Sequence, residues 1–311
     1  MSKLQKLIKY LSDPDYRFLV NVAHGAYHDM PDEEYLKRIF KINIGYELNL
    51  DNPKTYNEKI QWLKLHDRKP EYSKMVDKVE AKKYVASIIG DEYIIPTFGV
   101  WSRFEDIDFN ALPDQFVLKC THDSGGLIIC RDKKNLDMSA SRKKITSSLH
   151  RNFYYLFREW PYMNISPRII AEQYMEDEFG TAIRDYKVLC FNGEPKLIEL
   201  HQGRFTDHQT QDFYTTKWEK TNISQTGIPH FQVTMDTVPA PDTLDEMLEL
   251  SRILAEGLPH IRVDWYSVSG KLYFGELTFY DGSGLDPWDN PEDDLMLGSW
   301  IELPKEREKS I

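Results

Sequence analysis

Arg262 and Asp264 stand two residues apart in the apolar stretch 261–268. On a β-strand that spacing puts both side chains on one face and Val263 on the other. A second stretch, 271–277, follows across Ser269-Gly270, a hairpin turn signal, and delivers Glu276 to the same surface. Two carboxylates beside a guanidinium suit Mg²⁺, which takes one or two carboxylates plus nucleotide phosphates. The same residues equally suit a cross-strand ion pair from Arg262 to either acid.

A second candidate is the strand 115–119, ending in Lys119, with the loop Cys120-Thr121-His122-Asp123-Ser124-Gly125-Gly126 behind it. Glycines let backbone N–H groups approach phosphates, and the lysine adds a point charge. No GK[ST] follows, and the next element is a strand, so this is not a Walker A loop. An ordinary hairpin turn fits the residues as well. Glu172-Gln173-Tyr174-Met175 ends another apolar strand before the acidic turn Glu176-Asp177-Glu178. It reads as a hinge whose backbone pairs with a base, or as a plain strand end. Asp185 and Lys187 open the next strand on one face.

The elements needed to hold these residues are legible in outline. Thr55 and Glu58 form a capping-box pattern, and 77–89 carries Ala81, Tyr84, Val85 and Ile88 on one helical face before Gly90. Short apolar strands are predicted at 93–101, 115–119, 127–131, 168–175, 184–191, 195–201, 261–268 and 271–277. Asn192-Gly193 is a second hairpin signal. Helices are predicted at 139–157 and 244–256, the latter with a Thr243/Glu246 capping box. Hairpins outnumber crossovers, so the class is α+β with antiparallel sheets.

At 311 residues the chain suits two packed units. Its 39 basic and 50 acidic residues leave a net charge of −11, which argues against nucleic acid and anionic membranes as bulk partners. Cys120, Cys130 and Cys190 are scattered and odd in number, which supports neither a disulfide framework nor a zinc ribbon. Charges interrupt Leu4, Leu7, Ile8 and Leu11 before a signal-peptide run develops, so a cytoplasmic location is expected. Those four residues share one helical face among Lys3, Lys6 and Lys9. The expectation is a helix docked on the body, with peripheral membrane contact as the alternative. The clusters 131–134 and 142–144 read as solvated basic faces, and the acids from Asp281 to Asp294 as an acidic exterior.

The order of the candidates carries a resemblance. Asp77-Lys78 opens a helix, the Lys119 strand and its glycine loop follow, then Glu172, then Asp185-Tyr186-Lys187, then Arg262-x-Asp264 and Glu276. In this order the chain resembles the ATP-grasp superfamily, which includes D-alanine–D-alanine ligase. More closely it resembles the TupA-like ATP-grasp family of bacterial surface-polysaccharide and teichuronopeptide gene clusters. The matching stretches are 57–64 (Asn-Glu-Lys-Ile-Gln-Trp-Leu-Lys), 115–126, 158–162, 169–175, 185–195 and 274–284, within roughly 40–300.

The resemblance implies ATP held between two α+β lobes: a helical region over 1–90, a small lobe over 91–175, a large lobe with the metal site over 176–304 and a charged tail over 305–311. It implies phosphate contacts from Lys78 and Lys119, and a loop closing over the phosphates through His122, Ser124, Gly125 and Gly126. Glu172, Gln173, Tyr174 and Met175 become the adenine hinge, Asp185 lies near the ribose and Lys187 faces the nucleotide. Asp264 and Glu276 become Mg²⁺ ligands, while Arg262 orients an acyl phosphate and stabilises the oxyanion. Thr278 stands where many relatives carry an asparagine ligand, which leaves that position to water or Asp281. The usual αβ domain ahead of the lobes is not evident, so the acceptor site does not transfer.

The implied activity is an ATP-dependent carboxylate–amine ligase joining an amino acid to a sugar acid such as a uronic acid. Either partner could be nucleotide- or lipid-linked. No convincing nucleophile–base pair is present, which agrees with catalysis by positioning and charge neutralisation. Aromatic residues at 153–162 suit a core or a sugar face, and Arg158 is a candidate carboxylate clamp. His201, Arg204 and His208 are candidate substrate contacts. The rivals are a sugar kinase, a non-catalytic nucleotide-binding scaffold and a metal-dependent glycosyltransferase. The last needs an Asp-x-Asp ending an apolar strand, and neither Asp13-Pro14-Asp15 nor Asp106-Ile107-Asp108 does so.

Overall fold

The computed structural model describes residues 2–176, 183–203, 206, 208–226, 232–235 and 237–305. The chain opens with helices α1 (Lys3–Ser12), α2 (Pro14–Ala23), α3 (Asp32–Ile44), α4 (Tyr56–His66), α5 (Tyr72–Val76) and α6 (Lys78–Ile89). Their starts follow from capping chemistry. Thr55 Oγ1 accepts the Glu58 N–H while Glu58 Oε2 accepts the Thr55 N–H, each at 3.1 Å. Asp77 Oδ1 accepts the N–H groups of Val79 and Glu80 at 3.0 Å, so α6 begins at Lys78.

Next come β1 (Thr97–Trp101), β2 (Phe116–Cys120), β3 (Leu127–Cys130), α7 (Met138–Leu149), α8 (Tyr154–Phe157) and β4 (Ile169–Gln173). The remaining elements are β5 (Asp185–Phe191), β6 (Glu194–Gln202), β7 (Thr210–Thr215), α9 (Leu244–Ala255), β8 (His260–Val268), β9 (Lys271–Thr278) and α10 (Pro291–Trp300). They form a small sheet ordered β1-β4-β2-β3 and a large one ordered β7-β6-β5-β8-β9. Every pairing between neighbouring strands is antiparallel, as the α+β expectation required. Both hairpin signals hold. Asn192 and Gly193 lie at φ 51° and 85°, and Ser269 and Gly270 at 50° and 74°, the positive values that a primed turn needs.

The main core joins α4, α5, α6 and α9 to the large sheet through residues such as Ile60, Val85, Met247, Val188 and Trp265. A second core lies between the small sheet and α7, around Phe116, Leu118 and Ile145. A third packs α2 and α3 around Phe18, Tyr35 and Phe40. Gly298 lets α10 press on the start of α4, since a Cβ there would lie 2.2 Å from the Lys54 carbonyl oxygen. Among the described residues no helix is long and apolar enough to cross a membrane.

Four expectations need correction. Strand β7 was not predicted, because Gln211, Asp212, Phe213 and Tyr214 are all buried in a row, which erases the apolar–polar alternation. The 139–157 helix is two helices, because Asn152 Oδ1 accepts the Tyr154 N–H at 3.0 Å and starts a new turn. The Thr243/Glu246 box does not form. Thr243 shares a hydrogen bond with Ser267 and Glu246 accepts one from Tyr93, so burial of Met247 and Leu254 carries α9 instead. Finally, the apolar stripe of α1 is not docked. Leu4, Leu7, Ile8 and Leu11 are 66%, 55%, 56% and 67% exposed. The helix is tied to α2 through Tyr10, Arg17 and Lys9, whose ammonium lies 4.8 Å from the Tyr16 ring, and not through the stripe.

Candidate active site

A cavity of about 420 Å³ is walled by the small sheet on one side and the large sheet on the other. Lys119, Val117 and Glu172 supply the first wall, and Lys187, Arg262, Asp264 and Glu276 the second. Register explains the first wall. Val117 of β2 pairs with Glu172 of β4, so the Glu172 side chain lies next to that of Lys119. Lys119 Nζ meets Glu172 Oε2 at 2.6 Å, and Lys82 Nζ meets Oε1 at 2.6 Å. Burial alone would raise the Glu172 carboxyl, but Lys119 and Lys82 overcome it and hold the group down to about 2. The sequence reading missed Lys82 altogether. Its signal was present, since it lies four residues beyond Lys78 on the same helix face.

The glycine loop is closed on itself. Asp123 Oδ1 accepts the Gly126 N–H at 3.0 Å, and Lys78 Nζ donates to the Asp123 carbonyl at 2.7 Å. Asp123 Oδ2 also accepts from Ser148 of α7. Gly126 is glycine for packing, because a Cβ would lie 2.5 Å from Cys120 Sγ and 2.7 Å from Ser148 Oγ. Ser124 and Gly126 line the cavity, but His122 and Gly125 do not. The His122 ring is buried beneath the carbonyls of Ser148 and Arg151, at 3.1 Å from each. Gln173, Tyr174 and Met175 line the cavity at the edge of β4, and the Gln173 N–H is already bonded to the Pro96 carbonyl. Glu172 enters through its charge rather than as a strand-edge backbone contact. Asp177 and Glu178 lie outside the described residues.

The second wall gathers a charge network. Asp264 pairs with Glu276 across β8 and β9, next to a bulge at Gly275. Arg262 grips Asp264 with two bonds, Nε to Oδ1 at 2.7 Å and Nη2 to Oδ2 at 2.8 Å. It also reaches Glu276 at 3.2 Å and Asp281. Lys187 Nζ bonds Asp264 Oδ2 at 2.6 Å and lies 3.1 Å from Asp185. Asp185 itself is buried and does not line the cavity, so its expected place near a ribose is not seen. Burial would raise the Glu276 carboxyl, but Lys78, Arg262 and Lys187 hold it down to about 2. Thr278 Oγ1 donates to Glu276 Oε1 at 3.3 Å and so orients that carboxylate.

Within this network two cations face four carboxylates, an excess of two negative charges. The donors that Asp264 and Glu276 offer are carboxylate oxygens. Both facts fit a divalent hard cation at Asp264 and Glu276, although no ready-made cluster of three or more ligands exists among the described residues.

Beyond Arg262 the cavity is lined by Glu199, His201, Gln211, Gln225, Asp281 and Asp286. Glu199 Oε1 accepts from His201 and from Gln211. Of the other expected contacts, Arg204 lies outside the described residues and His208 is exposed away from the cavity. Arg158 is fully buried and does not line the cavity. The acids from Asp281 to Asp294 do not form a uniform exterior. Asp281 and Asp286 face the cavity, while Asp294 is buried and accepts the Asn57 N–H. Asp13 caps α2 and Asp106 pairs with Arg103, so neither Asp-x-Asp lies in the cavity.

Three stretches that carried the resemblance meet at the turn between Asp281 and Asp286. Gln61 Nε2 donates to the carbonyls of Ser283 and Gly284, and Lys64 Nζ to those of Ser283 and Phe157. Glu159 accepts from Ser283 Oγ. The turn needs this bracing, because Gly282, Ser283 and Gly284 all have φ between 53° and 58° and serine disfavours that region.

Residues 58–302 match the family model described as TupA-like ATPgrasp. The chain belongs to the TupA-like ATP-grasp family. No curated protein matches the sequence. Among solved structures, D-alanine–D-alanine ligase from Bacillus anthracis complexed with ATP is 16% identical over 66% of this chain and 53% of its own, at a TM-score of 0.39. The Helicobacter pylori D-alanine–D-alanine ligase is 12% identical over 73% and 61%, at 0.41. N5-carboxyaminoimidazole ribonucleotide synthetase from Thermus thermophilus is 9% identical over 66% and 45%, at 0.36. This TupA-like chain thus spans about half the length of the structures it matches.

Proposed function

We propose that the protein is an ATP-dependent carboxylate–amine ligase. The observation that carries this reading is a single cavity with Lys119 and Glu172 on one wall and Arg262, Asp264 and Glu276 on the other. ATP would lie between them, its phosphates toward Lys78, Lys119 and Lys187, and its base toward Gln173, Tyr174 and Met175. Asp264 and Glu276 would hold Mg²⁺, whose chemistry is to neutralise phosphate charge. Taking a metal requires Asp264 to give up part of its Arg262 pairing. That exchange would turn the guanidinium toward an acyl phosphate and the oxyanion formed when an amine attacks it. The family suggests an amino acid and a sugar acid such as a uronic acid as the joined partners, in capsule or other surface-polysaccharide synthesis, with the enzyme in the cytoplasm.

The acceptor would sit at the far end, beside Glu199 and Asp286. An ammonium must lose a proton before it attacks, and Asp286 is suited to take it. Burial, with Asp281 and Glu199 as like-charged neighbours, pushes its carboxyl up to about 7. Asp286→Asn should therefore lower ligation about 10²-fold. It should also raise stability at high pH. A carboxyl raised in the folded state contributes fully below its unfolded value near 4, and loses that contribution as pH rises through 7. The variant escapes this loss, so it should be roughly 4 kcal/mol more stable than wild type at pH 8 and equal to it below pH 4. Urea unfolding across that range measures the difference.

The activity is tested by incubating the protein with Mg-ATP, uronic-acid glycans or sugar nucleotides, and an amino-acid mixture. ADP, phosphate and an amide-linked product are expected. A phosphorylated sugar would make it a kinase, and transfer from a sugar nucleotide without ATP a glycosyltransferase.

A further inference from the structure

We propose that α1 is an interfacial anchor that lays the protein against an anionic lipid surface. The helix shows its largest apolar side chains to solvent. Leu4, Leu7, Ile8 and Leu11 occupy one face, and each is more than half exposed. No described residue covers that face, since the contacts holding α1 to α2 come from Tyr10, the Tyr10 and Leu11 carbonyls, and Lys9 over the Tyr16 ring. The start of the helix is fixed locally rather than by docking. Ser2 and Gln5 close a complete capping box at its start.

The charge pattern selects the occupant. Lys3, Lys6 and Lys9 lie around and opposite the apolar stripe, and residues 1–12 contain no aspartate or glutamate. The chain as a whole carries −11, so this basic segment stands out against an acidic body. An apolar face bordered by lysines suits the boundary between acyl chains and anionic headgroups, where leucines enter and ammonium groups stay at the surface. The acidic body would be repelled by the same surface, which orients the protein with α1 down. A second copy of the chain would meet like charges from three lysines, so a lipid surface is the better fit.

The test is sedimentation of the full chain, with its N-terminus untagged, against vesicles of phosphatidylcholine alone or with 30–40% phosphatidylglycerol. Binding to the anionic vesicles is expected, at least tenfold stronger than to neutral ones and weaker as salt is raised. Leu7→Gln with Leu11→Gln should lower binding at least tenfold. Lys3→Gln with Lys6→Gln and Lys9→Gln should remove the preference for phosphatidylglycerol. Both variants should leave thermal unfolding and ATP turnover in solution unchanged, because these residues touch neither core nor cavity. No binding to either vesicle would overturn the proposal. So would binding that survives the leucine changes, or self-association of the wild-type chain that those changes abolish.

Discussion

Asp264→Asn should lower Mg-ATP-dependent turnover by about 10³-fold or more, the largest loss expected of any single change here. Asp264 is the centre of the charge network. Both of its oxygens are engaged, by Arg262 and by Lys187. An asparagine keeps the shape but loses the charge that would hold a divalent cation. Arg262 keeps Glu276 and Asp281, and Lys187 keeps Asp185, so neither cation is left buried alone. The fold should therefore survive, with a circular dichroism spectrum like wild type. Glu276→Gln should cost less, about 10²-fold, because Glu276 meets Arg262 at the cavity edge and holds no second cation directly. ADP release under saturating Mg-ATP measures both. Wild-type turnover in both variants would sink the metal assignment. A variant that still binds nucleotide without magnesium, yet turns over slowly with it, would support that assignment.

Much of this wall was legible in the sequence, for a definite reason. Strand periodicity fixes which residues share a face, and the Ser269-Gly270 turn fixes the register. Arg262 and Asp264 could therefore be placed together from spacing alone, whereas that register would set Gly275 opposite Asp264, and only the bulge at Gly275 brings Glu276 there. Lys119 was legible in the same way. What spacing cannot show is which partner a charge takes across the chain. Lys82 lies on a helix ninety residues before Glu172, and nothing local links the two. His122 looked like part of a phosphate loop, but two carbonyls at and just after the end of α7 draw its ring inward. The stretch 57–64 entered as part of the family resemblance, with no role read from its residues. Its Gln61 and Lys64 are buried polar groups whose purpose, bracing the turn from Asp281 to Asp286, appears only once residues 159 and 283 are brought beside them.

Arg158 gives the second large effect, on stability rather than rate. Its guanidinium is fully buried beside the third core and makes no contact with the cavity. Nη2 donates to the Tyr27 carbonyl at 2.6 Å and to that of Met30 at 3.2 Å, and Nε lies 3.3 Å from Asp32. The Tyr35 ring packs under it at 4.3 Å. Removing this cation takes a donor from two carbonyls and empties a fully buried site, a loss of about 2–3 kcal/mol, while Asp32 keeps Arg68 at 2.6 Å and the Tyr154 hydroxyl. Arg158→Ala should therefore shift the urea midpoint strongly downward. Arg158→Lys should recover less than half of that loss, because an ammonium cannot span the carbonyls and stack on the tyrosine at once. A backbone explanation is separable. Arg158 has φ 56°, so Arg158→Gly would rescue stability if strain, rather than the lost contacts, were the cause. Under refolded, native conditions nucleotide affinity should be unchanged in all three variants. A carboxylate clamp makes the opposite demand: unaltered stability and a raised KM for the acidic substrate. Measuring both in Arg158→Ala decides whether the residue binds substrate or fastens α2 and α3 to the body.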